Sequence, residues 1–113
     1  MNQNQDHTNK KSNMLPIGVP FAGSLHREFE LRPELVEDFM DSYDDPEHGE
    51  RALKNAPFAE VCVMARRLTK LGSIPKADIT PDLILKMKSR DYLYLQTYER
   101  GQLPQEQEGA KTA

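Results

Sequence analysis

The chain has one cysteine and no tryptophan in 113 residues, and it contains no apolar run of the length that spans a bilayer. A single cysteine excludes an intrachain disulfide. Cys62 sits between Val61 and Val63 in a helical pattern, so it reads as a small buried apolar residue rather than a nucleophile. The six glycines never fall into a phosphate-cradling spacing. The three histidines are isolated: His7 in a polar start, His26 on the wet side of a strand, His48 in a polar linker. No metal-ligand spacing is present, and Asp44-Asp45 with Glu47 lacks the glycine and terminal glutamate of a calcium loop. These absences predict a protein without catalytic residues, cofactor or metal, whose work is binding.

Charge is present in quantity but unevenly. The net charge is -3, which argues against nucleic acid as the main partner. Between Glu28 and Glu50 there are ten acids and one base, Arg32; between Arg51 and Lys76 there are six bases and one acid, Glu60. Two surfaces that attract each other, or rims that orient a partner, both fit that distribution.

Nothing between Met1 and Met14 is apolar, so residues 1–14 are expected to be disordered and do not resemble a secretory signal. Residues 102–113 offer only Leu103 as a large apolar side chain and are expected to form a flexible tail. The folded part is then a single domain over 15–101, in a protein expected to be soluble and cytoplasmic, with no membrane partner.

That domain opens with strand signals. Leu15–Val19, the turn Ala22-Gly23-Ser24 and the alternation Leu25 to Leu31 predict a β-hairpin, with Leu25, Phe29 and Leu31 facing inward and His26, Glu28 and Glu30 outward. After Pro33 the periodicity is helical. Leu35, Val36, Phe39, Met40 and Tyr43 predict a buried stripe on a first helix ending near Asp44-Asp45-Pro46. Residues 47–55 form a short exposed helix or a connection. A helix starts at Asn55 or Ala56 before Pro57 and runs through Leu68 and Leu71 to a stop at Gly72. Ser73–Ile79 is a linker around Pro75. Thr80 caps a helix with Pro81 at its first position, and Ser89 offers a second cap; the pattern leaves open one helix or two from Pro81 to Arg100, with two, broken near Lys88, favoured because Met87 and Leu95 fit one straight stripe badly. The predicted fold class is α+β and mostly helical: a short N-terminal β-hairpin packed on a body of three to five helices, with disordered termini.

For a binding surface the adaptable methionines and the tyrosine-rich last helix stand out. Met40, Tyr43, Met64, Leu68, Met87, Tyr94 and Tyr98 are the candidate partner-binding residues, seen as lining a groove for a helical ligand. Plain core packing is the competing role for each. On the groove reading, Met64→Asp or Tyr94→Asp removes the partner and leaves the helices intact.

Two blocks carry a resemblance. Gly23-Ser24-Leu25-His26-Arg27-Glu28-Phe29-Glu30-Leu31-Arg32-Pro33 looks like the opening motif of the Mu-like phage tail assembly chaperone family, a small turn leading into a Leu-His…Leu-Arg strand. Leu71-Gly72-Ser73-Ile74-Pro75, then Ile79-Thr80-Pro81-Asp82-Leu83-Ile84, then Asp91 with Leu95-Gln96, is similar to that family's later run in order and spacing. The match covers most of Val19 to Gln96. It departs in a short, acidic segment before Pro57 and in the bases Lys86, Lys88 and Arg90.

The resemblance implies a non-catalytic chaperone of the host cytoplasm, absent from the finished particle. Its implied partner is the tape measure protein, kept soluble until tail tube subunits polymerise around it. A frameshifted longer form would add the tail tube protein as a partner, and self-association is a further option. The alternative class is a small virion structural protein, such as a tail completion or connector subunit. A third, a nucleic-acid-binding regulator, rests on the basic run from Arg51 to Lys76.

Overall fold

The computed structural model describes residues 13–101; the expectations for 1–12 and 102–113 lie outside the described residues. The chain begins with two antiparallel strands, β1 (Met14–Phe21) and β2 (Ser24–Leu31). Met14, expected in the disordered start, is part of β1, and the Asn13 carbonyl accepts the Phe29 N–H at 3.0 Å. Ala22 and Gly23 form the two-residue loop with φ of 52° and 83°, the left-handed pair of a type I′ turn that matches the strand twist.

Three helices follow: α1 (Val36–Asp44), α2 (Gly49–Lys54) and α3 (Ala56–Arg67). The chain then forms β3 (Leu68–Leu71), a 3₁₀ turn at Lys76–Asp78, α4 (Pro81–Leu85) and α5 (Ser89–Gly101). Sheet order is β1-β2-β3, antiparallel throughout. The hairpin and the helical body are therefore as expected, and so is the break between α4 and α5. Among the described residues no helix is long and apolar enough to cross a membrane.

Three expectations are corrected. The helix predicted to run to Gly72 ends at Arg67, and Leu68–Leu71 is a strand whose partners are Phe29 to Leu31. Residues three apart share a face in a helix but not in a regular strand; here the pairing of β2 with β3 shifts between Glu30 and Leu31, and Leu68 and Leu71 are both buried. The open edge of β2 decides, because its N–H and C=O groups need a ladder. Gly72 does adopt a left-handed conformation (φ 56°), but it ends the strand rather than the helix.

The second correction concerns the alternation in β2. His26 is buried and Leu25 is exposed. His26 lies three residues from Phe29, on the opposite face of β2, and that face is covered at this end by Phe21, Gly72 and Ser73. The pairing of β1 with β2 also shifts between Met14 and Val19, so β1 bulges. Ile17 and Gly18 lie in that interval, and Pro16 and Pro20 flank them without donors of their own.

The third correction is the orientation of α1. Its inward residues are Asp38 and Ser42, with Phe39 and Tyr43 half-buried, while Leu35, Val36 and Met40 are exposed. The predicted apolar stripe is real as a pattern, but most of it faces outward. A buried ion pair described below turns the helix.

Two cores hold these elements. The larger joins Leu15, Val19 and Phe29 of the sheet to Met64, Ala65, Leu68 and Leu71, and is closed by Ile74, Ile79, Ile84, Met87 and Leu95. Each fully buried side chain such as Phe29 or Leu95 contributes about 2–3 kcal/mol of transfer free energy. The smaller packs Ala52, Phe58, Ala59 and Cys62 under Tyr43. Cys62 is buried as expected, which pushes its thiol pKa up.

Candidate functional site

Side chains from distant segments meet at polar junctions, and these fix the surface that remains. At the first junction the Asp38 carboxylate is fully buried. It accepts Arg32 Nη2–H at 2.7 Å, Arg32 Nη1–H at 3.0 Å and the Leu35 N–H at 2.8 Å. The last of these helps to satisfy the start of α1. The Arg32 guanidinium holds this carboxyl well below the usual range, at about 2. Arg66 of α3 approaches Asp38 at 3.6 Å and bonds Asp41 at 2.8 Å. The acidic and basic runs of the sequence thus meet each other here, and the pairing points Asp38 inward and Val36 and Met40 outward.

At the second junction Lys76 closes the end of α3. Its ammonium donates to the carbonyls of Ala65 (2.9 Å), Arg66 (3.3 Å) and Leu68 (2.9 Å), groups left without intrahelical partners. Burial, with Arg32 and Arg66 nearby, lowers its pKa.

The third junction gathers residues quoted for the resemblance. Ser73 N–H donates to His26 Nδ1 at 3.2 Å, and His26 Nε2 lies 3.1 Å from the Phe21 carbonyl, which assigns the proton to Nε2. A side chain at Gly72 would collide with the His26 ring, so only glycine fits. Asp91, also fully buried, receives the N–H groups of Ile17 (2.8 Å) and Gly18 (2.9 Å). These residues hold the fold together.

At the fourth, His48 stands before α2 with Nδ1 3.0 Å from Asp45 and Nε2 3.4 Å from Asp82 of α4. Burial opposes a charge on the imidazole, but Asp82, Asp45 and Glu47 outweigh it and raise its pKa. Burial would likewise raise Asp45, yet the N–H groups of His48 and Glu47 and the His48 ring bring it below the usual range. Sequence reading left His48 in a polar linker. Its main partner outside the loop is 34 residues away, a distance no local pattern reports. Beside this group lies a cavity of about 530 Å³, lined among others by Arg32, Cys62, Lys76 and Thr80.

The seven residues proposed from sequence do not converge on one surface. Met64, Leu68 and Met87 are buried in the larger core. Tyr94 and Tyr98 are half-buried against it, edge-on to the Phe29 ring at centroid distances of 6.2 and 5.0 Å. Tyr43 covers the smaller core, and Met40 alone is well exposed. The methionine groove is therefore not formed, and an aspartate at Met64 would break the core rather than test binding. The exposed apolar face that is formed lies on α1, with Leu35 at 49%, Val36 at 80% and Met40 at 55% exposure. Its signal was in the sequence as an apolar stripe, assigned to the wrong side.

Comparison with protein-family models gives no match, and neither do searches of curated proteins and of solved structures.

Proposed function

We propose that this protein is a phage tail assembly chaperone that binds the tape measure protein and keeps it soluble for tail tube polymerisation. It acts in the host cytoplasm, without catalysis or cofactor, and leaves before the particle is finished. The observation that carries the reading is the outward apolar face of α1, where Val36 and Met40 lie one helical turn apart beside Leu35. An amphipathic tape measure helix can lay its own stripe along that face, with Met40 adapting to different registers. Asp41 and Arg66 stand at its margin as a paired, exposed charge rim. The ordered motifs support the same reading in a different way. His26, Gly72 and Asp91 are structural, so a chain sharing them would share this scaffold.

The test is co-purification from cells producing both proteins. The double change Val36→Asp and Met40→Asp should release the tape measure protein while leaving the melting temperature within about 2 °C, since both sites are exposed. Retention of the partner by that variant overturns the α1 surface. A mass spectrum of purified particles addresses the class: presence of this chain there would favour a virion structural subunit.

A further inference from the structure

The geometry points to a divalent-cation site, best matched to Zn²⁺, formed by His48 Nε2 with the carboxylates of Glu47 and Asp82. It lies away from the α1 face and does not rest on the chaperone reading.

Three observations carry it. The first is a proton inventory. Asp45 Oδ2 accepts the backbone N–H groups of Glu47 (3.1 Å) and His48 (2.7 Å) and stands 3.0 Å from His48 Nδ1. It is thereby fixed as the acceptor for Nδ1–H. A neutral imidazole has one N–H, so Nε2 then presents a lone pair. That lone pair faces Asp82 Oδ2 at 3.4 Å and Glu47 Oε2 at 3.8 Å. A lone pair and two carboxylates that face one another can share a cation, either a proton or a metal ion.

The second is spacing. One ligand atom from each of the three residues lies within 4.8 Å of the others. Ligands about 2.0–2.1 Å from a tetrahedral Zn²⁺ stand roughly 3.4 Å apart, the separation found between His48 and Asp82. Glu47 and Asp82 have exposed side chains, and their rotamers can draw the carboxylates in from the present spacing. The carboxylate behind the imidazole, Asp45, is the outer partner that fixes the tautomer and turns the ring in zinc sites. Asp45 is a positioning residue here.

The third is the adjoining cavity, which has both Glu47 and His48 in its wall. Three protein ligands leave a fourth position, and the cavity offers room for the water or anionic group that would fill it. One imidazole with two carboxylates suits Zn²⁺ better than the soft metals that require thiolate. The ion would join the loop before α2 to the first turn of α4, a staple across 34 residues of chain.

The experiment uses the full chain, stripped by chelator and titrated with Co²⁺ and then Zn²⁺ at pH 7.5. One equivalent of Co²⁺ should give a tetrahedral-type visible spectrum that Zn²⁺ abolishes, with paramagnetic broadening of the His48 ring protons. Zn²⁺ in hundredfold excess over its Kd should raise the melting temperature by roughly 10 °C. Asp82→Asn, at an exposed side chain, should remove the spectrum and the shift with the fold unchanged. His48→Gln should do the same, and His7→Ala should do neither. Absence of the spectrum, or its persistence in both Asp82→Asn and His48→Gln, overturns the site and leaves a proton as the cation that joins His48 to Asp82.

Discussion

Asp91, on the last helix, accepts the backbone N–H of Gly18 on the first strand at 2.9 Å across 73 residues of chain. The same carboxylate takes the Ile17 N–H. One buried side chain therefore supplies what the bulged β1 ladder withholds from two donors. Gly18 has a φ of 111°, and a side chain there would press on Leu25 and Arg27, so the bulge and its acceptor belong together.

Replacing Asp91 by alanine leaves the buried Gly18 N–H and the part-buried Ile17 N–H without their acceptor. We expect a loss of about 2–4 kcal/mol, seen as a lower urea midpoint. Asp91→Asn keeps one acceptor oxygen and should lose about half as much. A midpoint unchanged in the alanine variant would mean that water reaches these groups.

Asp38 gives a prediction in acid. Its folded pKa of about 2 lies below the usual carboxylate value, so its contribution is fully present above about 4 and is lost as pH falls towards 2. Stability measured across that window should decline, and Asp38→Asn should flatten the decline. At pH 7 the same variant should lose about 2–3 kcal/mol, because Arg32 keeps its charge without its partner.

Histidine 48 behaves in the opposite sense when no metal is added. Its folded pKa is raised, so its bridge to Asp82 is fully present below the unfolded value near 6.5 and is lost as pH climbs through the higher folded value. Melting temperatures in chelator should fall over that interval in the wild type. His48→Gln should show a flatter profile there.

Lys76→Met should weaken the end of α3. The three carbonyls it serves would lose a common donor, at a cost of about 1–2 kcal/mol. Hydrogen exchange at the final turn of α3 should quicken more than in α5.

One change should stabilise. Ala22 occupies the left-handed first position of the hairpin turn, where asparagine is at ease. Ala22→Asn should raise the melting temperature by a few degrees, corresponding to about 0.5–1 kcal/mol.

What the sequence disclosed follows from the range of the forces involved. Local chemistry was legible: the Thr80 hydroxyl accepts the Leu83 N–H, Asn55 accepts that of Phe58, and Ala22-Gly23 turns the hairpin. Leu68 and Leu71 were read as apolar positions of a helix, with Leu68 offered to a partner, but their element and their burial depended on β2 waiting some forty residues earlier. The facing of α1 depended on Arg32, Asp38 and Arg66, a pairing that outweighs the helix's own apolar stripe. His48 could not be joined to Asp82 without the fold. Long-range polar pairs are what the pattern of residues conceals.

The position of β2 at the centre of the sheet has a consequence for the nascent chain. β2 gains its first neighbour as soon as the hairpin emerges, but its second, β3, is translated only after α1, α2 and α3. During that interval one edge is open to any extended segment nearby. Glu28 and Glu30, both exposed, place negative charge along β2. When β3 arrives, Lys70 comes within 3.5 Å of Glu28 and Thr69 bonds the Glu30 carbonyl. Of the acids that guard the strand on the ribosome, Glu28 thus becomes part of the docking place for its own last partner.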